Sequence, residues 1–237
     1  DIRIVLNAET GGHAGAAWNA RGVTVCDIGL NVGSAADTVA RATALGARPF
    51  SQPLGPGELP IPAIRGLGGS VMHFIDDGTL GQVWDVEFLP EPPSAKNAGL
   101  TRIDHIAQTM TYDEMLSWSL FYTTLFDMQK APMVDVVDPD GLVRSRAIAT
   151  PDGDFRITLN GAESHRTLAG SFLAEGFGAT VQHIALASDD IFATARRLDE
   201  LGFEALPISA NYFDDLASRF DLNDDELDRM RRANILY

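Results

Sequence analysis

Two histidines in matching surroundings constrain this chain most. Asp104-His105-Ile106-Ala107 and Gln182-His183-Ile184-Ala185 stand 78 residues apart, and a further 78 residues back lies Asp27, in Cys26-Asp27-Ile28-Gly29. Self-similarity at a fixed period means a fold assembled from copies of one unit. At an offset of 156, Thr24, Val25, Ile28, Leu30, Thr38, Arg41, Leu45 and Gly46 meet identical residues at Thr180, Val181, Ile184, Leu186, Thr194, Arg197, Leu201 and Gly202. Each copy opens on a β-branched apolar run, as a buried strand does. A helix-period segment follows, Ala36–Leu45 or Asp190–Leu201, closed by a glycine where a left-handed C-terminal residue belongs. The middle copy starts at Ile103–Ala107 and has a more aromatic helix, around Glu114–Phe126. The unit is strand, helix, then several strands, an α+β pattern.

Along the chain the pattern predicts two halves. Residues 1–99 form an N-terminal half ending in the Pro-rich linker Leu89–Gly99, and residues 100–237 form the C-terminal half. Strands are expected at Ile2–Leu6, Val23–Val32, Ser70–Ile75 and Gln82–Phe88, with a Pro/Gly-rich loop from Gln52 to Pro62. Gly141–Thr150 and Phe155–Leu159 read as a hairpin around Pro151-Asp152-Gly153-Asp154, and Asn223–Arg232 as a capped acidic helix. The chain opens inside a strand and stops as a new apolar run, Ile235-Leu236-Tyr237, begins. That reads as a fragment of a longer polypeptide.

Charge and cysteine usage bound the partners. A formal net charge of −15 argues against nucleic acid and against an anionic membrane surface. No apolar run reaches the length of a membrane span. The single cysteine, Cys26, excludes an internal disulfide and fits a reducing, cytoplasmic setting. On an apolar strand it reads as a structural thiol.

An isolated histidine in an apolar frame is ordinarily a satisfied core residue, but two in register are better explained as ligands of one ion. Two imidazoles plus a carboxylate, with open positions, is the arrangement of non-haem iron oxygenases. His105 and His183 are therefore the candidate metal ligands. His13 in a Gly-rich loop, His73 on a strand and His165 in a polar segment read as surface or packing residues. Asp27 stands where the other copies have histidine, so the N-terminal half is expected to lack a metal. Glu87 is a weak candidate carboxylate.

The stretches Val181–Leu186, Asn211–Leu216 and Ile235–Tyr237 resemble the catalytic half of the 4-hydroxyphenylpyruvate dioxygenases. That family is built of tandem βαβββ units of the vicinal-oxygen-chelate fold in two open-barrel halves. The opening Asp1–Glu9 and the run Ala210–Asp221 are similar to bacterial 3-dehydroshikimate dehydratases that join a sugar-isomerase-like barrel to a dioxygenase-like region. By this resemblance His105 and His183 match the two iron-ligand histidines, and the third ligand, a glutamate on the final strand, falls beyond Tyr237. Gln182, Ser145 and Asn160 match substrate-pocket residues; without the resemblance they read as local hydrogen-bonding residues. The dioxygenases' Ser-Gln-Ile-Gln segment is replaced here by Arg166-Thr167-Leu168-Ala169, which counts against 4-hydroxyphenylpyruvate as substrate.

The resemblance implies a divalent metal, Fe(II) first, with Mn(II), Co(II), Mg(II) or Zn(II) as alternatives. It also implies a small aromatic or cyclic keto-acid substrate, and a homo-oligomer is the expected assembly. Three readings stay open: the accessory region of a bifunctional dehydratase, a working keto-acid dioxygenase, and a non-catalytic module of the same fold.

Overall fold

The computed structural model describes residues 2–89, 97–138 and 140–237. In chain order it begins with α1 (Gly12–Arg21), β1 (Asp27–Asn31), α2 (Ala35–Ala44), β2 (Pro49–Phe50), β3 (Ala63–Arg65), β4 (Val71–Ile75) and α3 (Asp77–Glu87). There follow β5 (Leu100–Thr111), α4 (Tyr112–Leu125), β6 (Gln129–Lys130), β7 (Val134–Asp138), β8 (Gly141–Ala149), β9 (Arg156–Ala162), α5 (Leu168–Glu175) and β10 (Thr180–Ser188). The last helices are α6 (Ile191–Glu200), α7 (Ala210–Arg219) and α8 (Asp224–Ala233).

The repeated unit is visible in the pairing. β1 lies parallel to β4 in a sheet ordered β1-β4-β3-β2, whose other pairs are antiparallel. β5 lies parallel to β9 in a second sheet ordered β10-β5-β9-β8-β6, with β7 also on β8. Both sheets are open, and tandem βαβββ units in an α+β fold describe them. The helix after each opening strand starts alike. Ser34 accepts from the Asp37 amide and Asp190 from the Ala193 amide, two caps exactly one double repeat apart in sequence. Both helices end on a left-handed glycine, Gly46 at φ 93° and Gly202 at φ 80°.

The chain divides into two compact units. One comprises Ile4–Glu91 with Asp104–Ala185, the other Asp1–Arg3, Pro92–Ile103 and Leu186–Tyr237. In the first, the even-numbered side chains of β5 and the odd-numbered ones of β9 face α4. Met110, Ile157, Leu159 and Ile148 bury there with Met115 and Tyr122, each at most 1% exposed. Ile64, Met72 and Phe74 of the first sheet join the same cluster. Each such side chain contributes roughly 1.5–3 kcal/mol by leaving water. The other unit has its own small core of Phe213, Leu216, Leu227 and Met230. Among the described residues, no helix is long and apolar enough to cross a membrane.

The structure departs from the sequence expectations at four places. Ile2–Leu6 pairs with no strand among the described residues, and Ile4, Val5 and Leu6 are exposed. The expected strand at Val23–Val32 is shortened to Asp27–Asn31, although the Cys26 carbonyl still accepts the Val71 amide and the Val32 amide donates to the Ile75 carbonyl. Gln82–Phe88 is not a strand but lies in α3 and just beyond it. Its apolar residues meet at helical spacing, Trp84 against Phe88 with ring centroids 5.1 Å apart, and Val83 is buried. His13 belongs to α1 rather than to a loop. Residues 90–96 of the expected linker lie outside the described residues.

Candidate metal centre

β5 and β10 are neighbours, and they bring His105 and His183 together with ring centroids 5.5 Å apart and planes at 75°. Both strands open a copy of the repeat, so the pairing follows from the symmetry that the sequence carries. The ring orientations are set by the preceding residue in each frame. His105 Nδ1–H donates to Asp104 Oδ2 at 2.8 Å, and His183 Nδ1–H donates to Gln182 Oε1 at 3.3 Å. Asp104 is itself held by Arg156, whose Nη1 lies 3.2 and 3.4 Å from its two oxygens. With Nδ1 engaged, Nε2 is the nitrogen that each ring has left to offer. A carboxylate behind the imidazole is the usual support of a metal-ligating histidine. Partial loss of solvent, and then the adjacent His105 ring, hold the His183 imidazole below its ordinary pKa, which favours the neutral form that a ligand needs.

Register extends this face. Side chains alternate along a strand, so His105, Ala107 and Thr109 of β5 share a face with Thr158 and Asn160 of β9 and with Ser145 and Ala147 of β8. Ser145 Oγ donates to Asn160 Oδ1 at 2.8 Å, which leaves the Asn160 amide N–H groups as free donors among the described residues. Asn160 stands opposite Thr109, four residues from His105, or about 13 Å along the strand. Thr109 is fully buried, and its Oγ1 has no partner among the described residues. The two ends of the face thus differ: imidazole nitrogen at one, amide and hydroxyl groups at the other.

The donor set suits a divalent ion, although among the described residues no three His, Cys, Asp or Glu side chains gather as a complete metal cluster. Two imidazoles with their Nδ1 atoms engaged present Nε2 as two candidate donors of the usual three.

Comparison with known proteins follows this geometry. The family description "Hydroxyphenylpyruvate dioxygenase, HPPD, N-terminal" matches residues 1–89, and "Glyoxalase/Bleomycin resistance protein/Dioxygenase superfamily" matches residues 102–225. A 4-hydroxyphenylpyruvate dioxygenase of Pseudomonas aeruginosa is 31% identical over the whole chain, which covers 67% of that protein. The chain belongs to the 4-hydroxyphenylpyruvate dioxygenase family of the glyoxalase superfamily. A 3-dehydroshikimate dehydratase of the same organism is 39% identical, again over the whole chain, which spans 38% of that protein's length. A solved "xylose isomerase-like TIM barrel/4-hydroxyphenylpyruvate dioxygenase fusion protein" superposes with a TM-score of 0.78 at 35% identity, covering 97% of this chain and 36% of that one.

In this family member the remaining sequence candidates scatter. His73 Nδ1–H donates to Asp27, 2.8 Å from its Oδ2, so the residue that replaces histidine in the first copy is held by another histidine. His165 is exposed in the loop before α5, and Glu87 Oε1 accepts the Leu59 amide at 2.7 Å. Thr167, inside the segment that replaces Ser-Gln-Ile-Gln, caps α5 by accepting the Gly170 amide. Sequence reasoning missed Asp104, Arg156 and Thr109. The period of two from His105 was signal enough for Thr109, and the residue before the histidine for Asp104. Arg156 needs the strand register.

Proposed function

We propose that this chain is the dioxygenase-like, divalent-metal-binding region of a bifunctional 3-dehydroshikimate dehydratase. Dehydration of 3-dehydroshikimate to protocatechuate then takes place in a barrel portion outside this chain. In this reading residues 1–99 are a metal-less scaffold half, and residues 100–237 hold the ion through His105 and His183, with Fe(II) preferred. The observation that carries it is the pair of imidazoles 5.5 Å apart with their Nδ1 atoms occupied. Higher identity to the dehydratase than to the dioxygenase supports the assignment to that branch, as does the helix-capping Thr167 where the dioxygenases place a glutamine segment.

A bound divalent ion supplies Lewis acidity to the substrate oxygens that it holds. The chain's own residues do the rest. Asp104 and Arg156 fix the His105 ring, Gln182 steadies His183, and the Ser145–Asn160 pair offers amide donors to the far end of a keto acid or cyclic carboxylate.

The deciding experiment measures oxygen uptake by the protein with its flanking barrel, loaded with Fe(II) and given 4-hydroxyphenylpyruvate. Protocatechuate absorbance from 3-dehydroshikimate is followed in parallel. The expected result is protocatechuate without oxygen uptake. Uptake that disappears in His183→Ala establishes instead a keto-acid dioxygenase, the second reading, which the 31% identity to the dioxygenase over 67% of its length keeps in play.

A further inference from the structure

We propose that the half carrying Asp27 in place of histidine holds a second ligand site: a cleft for a small organic carboxylate with a flat or cyclic apolar body, anchored by Arg65. The cleft has a volume of about 450 Å³, and neither His105 nor His183 lines it. That size falls within the roughly 300–1,000 Å³ of small-molecule sites. Its ionisable lining groups are His13, Arg21, Arg65 and Cys26, with no Asp or Glu among the described lining residues. The chain as a whole carries a net charge of −15, so this wall is a local inversion of sign.

Arg65 is held with one edge unused. Its Nη1 donates to the Gly69 carbonyl at 3.0 Å and to His13 Nδ1 at 3.3 Å, and the guanidinium lies 4.3 Å from the centre of the Phe50 ring. His13 Nε2–H donates to the Cys26 carbonyl at 2.9 Å, and in that tautomer its Nδ1 accepts from Arg65. Arg65 makes no ion pair with any described residue, and its Nε and Nη2 have no protein partner there. Those two nitrogens form the edge of a guanidinium that takes both oxygens of a carboxylate at once. Arg21 is engaged differently, bonding the carbonyls of Gly68, Gly176, Gly178 and Ala179. Asp27, beside Cys26, is occupied by His73. Phe50, Ala17, Val25 and Leu67 supply the apolar part of the lining. An anchored fork above an apolar wall selects a carboxylate attached to a ring over a bare inorganic anion.

The test is isothermal titration of the 237-residue chain with benzoate in EDTA, so that the paired histidines are silent. Benzamide and inorganic phosphate run beside it. Saturable millimolar benzoate binding is expected, weakened at least tenfold by Arg65→Met and by Ala17→Leu, which narrows the cleft without touching Arg65. Binding is expected to be unchanged in His183→Ala, and absent for benzamide. Circular dichroism confirms that each variant is folded. The proposal is overturned if the folded chain binds no benzoate, if binding survives both Arg65→Met and Ala17→Leu, or if phosphate binds as tightly as benzoate. Because the probe is metal-independent, these outcomes stand apart from the fate of the metal reading.

Discussion

Thr24 Oγ1 and Thr180 Oγ1, equivalent residues 156 positions apart in the repeat, lie 3.2 Å from each other. A residue of one copy thus touches its own counterpart in another. The contact joins the entrances of β1 and β10, so the copies meet where their strands begin.

Replacing either threonine by valine keeps the shape and removes one partner. Each single change is expected to cost about 1 kcal/mol, and the double change less than the sum, with a coupling of roughly 0.5–1 kcal/mol. Urea denaturation of the four proteins measures the cycle. Strict additivity would show that the contact carries no energy.

Gly68 tests the packing of the same region. It sits at φ 60°, and a Cβ there would run into the Ala179 carbonyl, whereas a Cβ at Gly69, φ 83°, meets nothing. Gly69→Ala is expected to cost only the left-handed strain of about 1–2 kcal/mol. Gly68→Ala adds a backbone collision and is expected to cost roughly 3 kcal/mol or more. Thermal melts of the two variants should separate them clearly, Gly68→Ala melting lower.

Asp104→Asn keeps the size of the side chain behind His105 and removes its charge and its pairing with Arg156. If His105 is a ligand, divalent-metal affinity is expected to fall roughly 10–100-fold while the apo protein stays folded. Co(II) absorption titrations read the affinity, and circular dichroism reads the fold. With two ligands in hand, the chain itself is expected to bind weakly; nanomolar affinity would reveal a carboxylate donor not identified in this site.

Tyr122 is fully buried and donates to Gln108 Oε1 at 2.9 Å. Burial raises its pKa well above the ordinary value, the Gln108 bond opposing this only in part. The folded chain therefore keeps a proton that the unfolded chain releases from about pH 10 upward. Stability from this group is fully present below about pH 10 and falls as pH rises, with a limiting slope of ~1.4 kcal/mol per pH unit. Urea midpoints at pH 9, 10 and 11 should show that extra decline in the native chain and not in Tyr122→Phe. At pH 7 the same variant is expected to lose about 1–3 kcal/mol, because Gln108 is left buried without its donor.

The histidine pair was legible in the sequence because the repeat itself carries it: two His-Ile-Ala frames in register on strands that the symmetry makes adjacent. Gly46 and Gly202 were legible for a local reason, since the left-handed glycine that closes a helix is written within a few residues of its last turn. Asp104–Arg156 was not legible, because it joins residues 52 positions apart through a strand register that local spacing does not encode. Gln82–Phe88 was misread as a strand because its apolar residues alternate. The Trp84–Phe88 contact, at helical spacing, appears only once the helix exists. α1 escaped notice because its Ala- and Gly-rich sequence has no strongly apolar face to announce it, and with it went the cleft that Arg65 lines.

β5 and β10 also determine how this architecture can change over time. The two imidazoles stand on adjacent strands, so their bite is inherited from the interstrand spacing of about 4.8 Å, not from any loop. Loops can lengthen, lose a glutamine segment or gain a helix cap without altering the distance between the rings. A lineage built this way can exchange one substrate for another while its donor geometry stays constant, and drift that reaches the pair must first disturb a ladder on which the whole sheet depends.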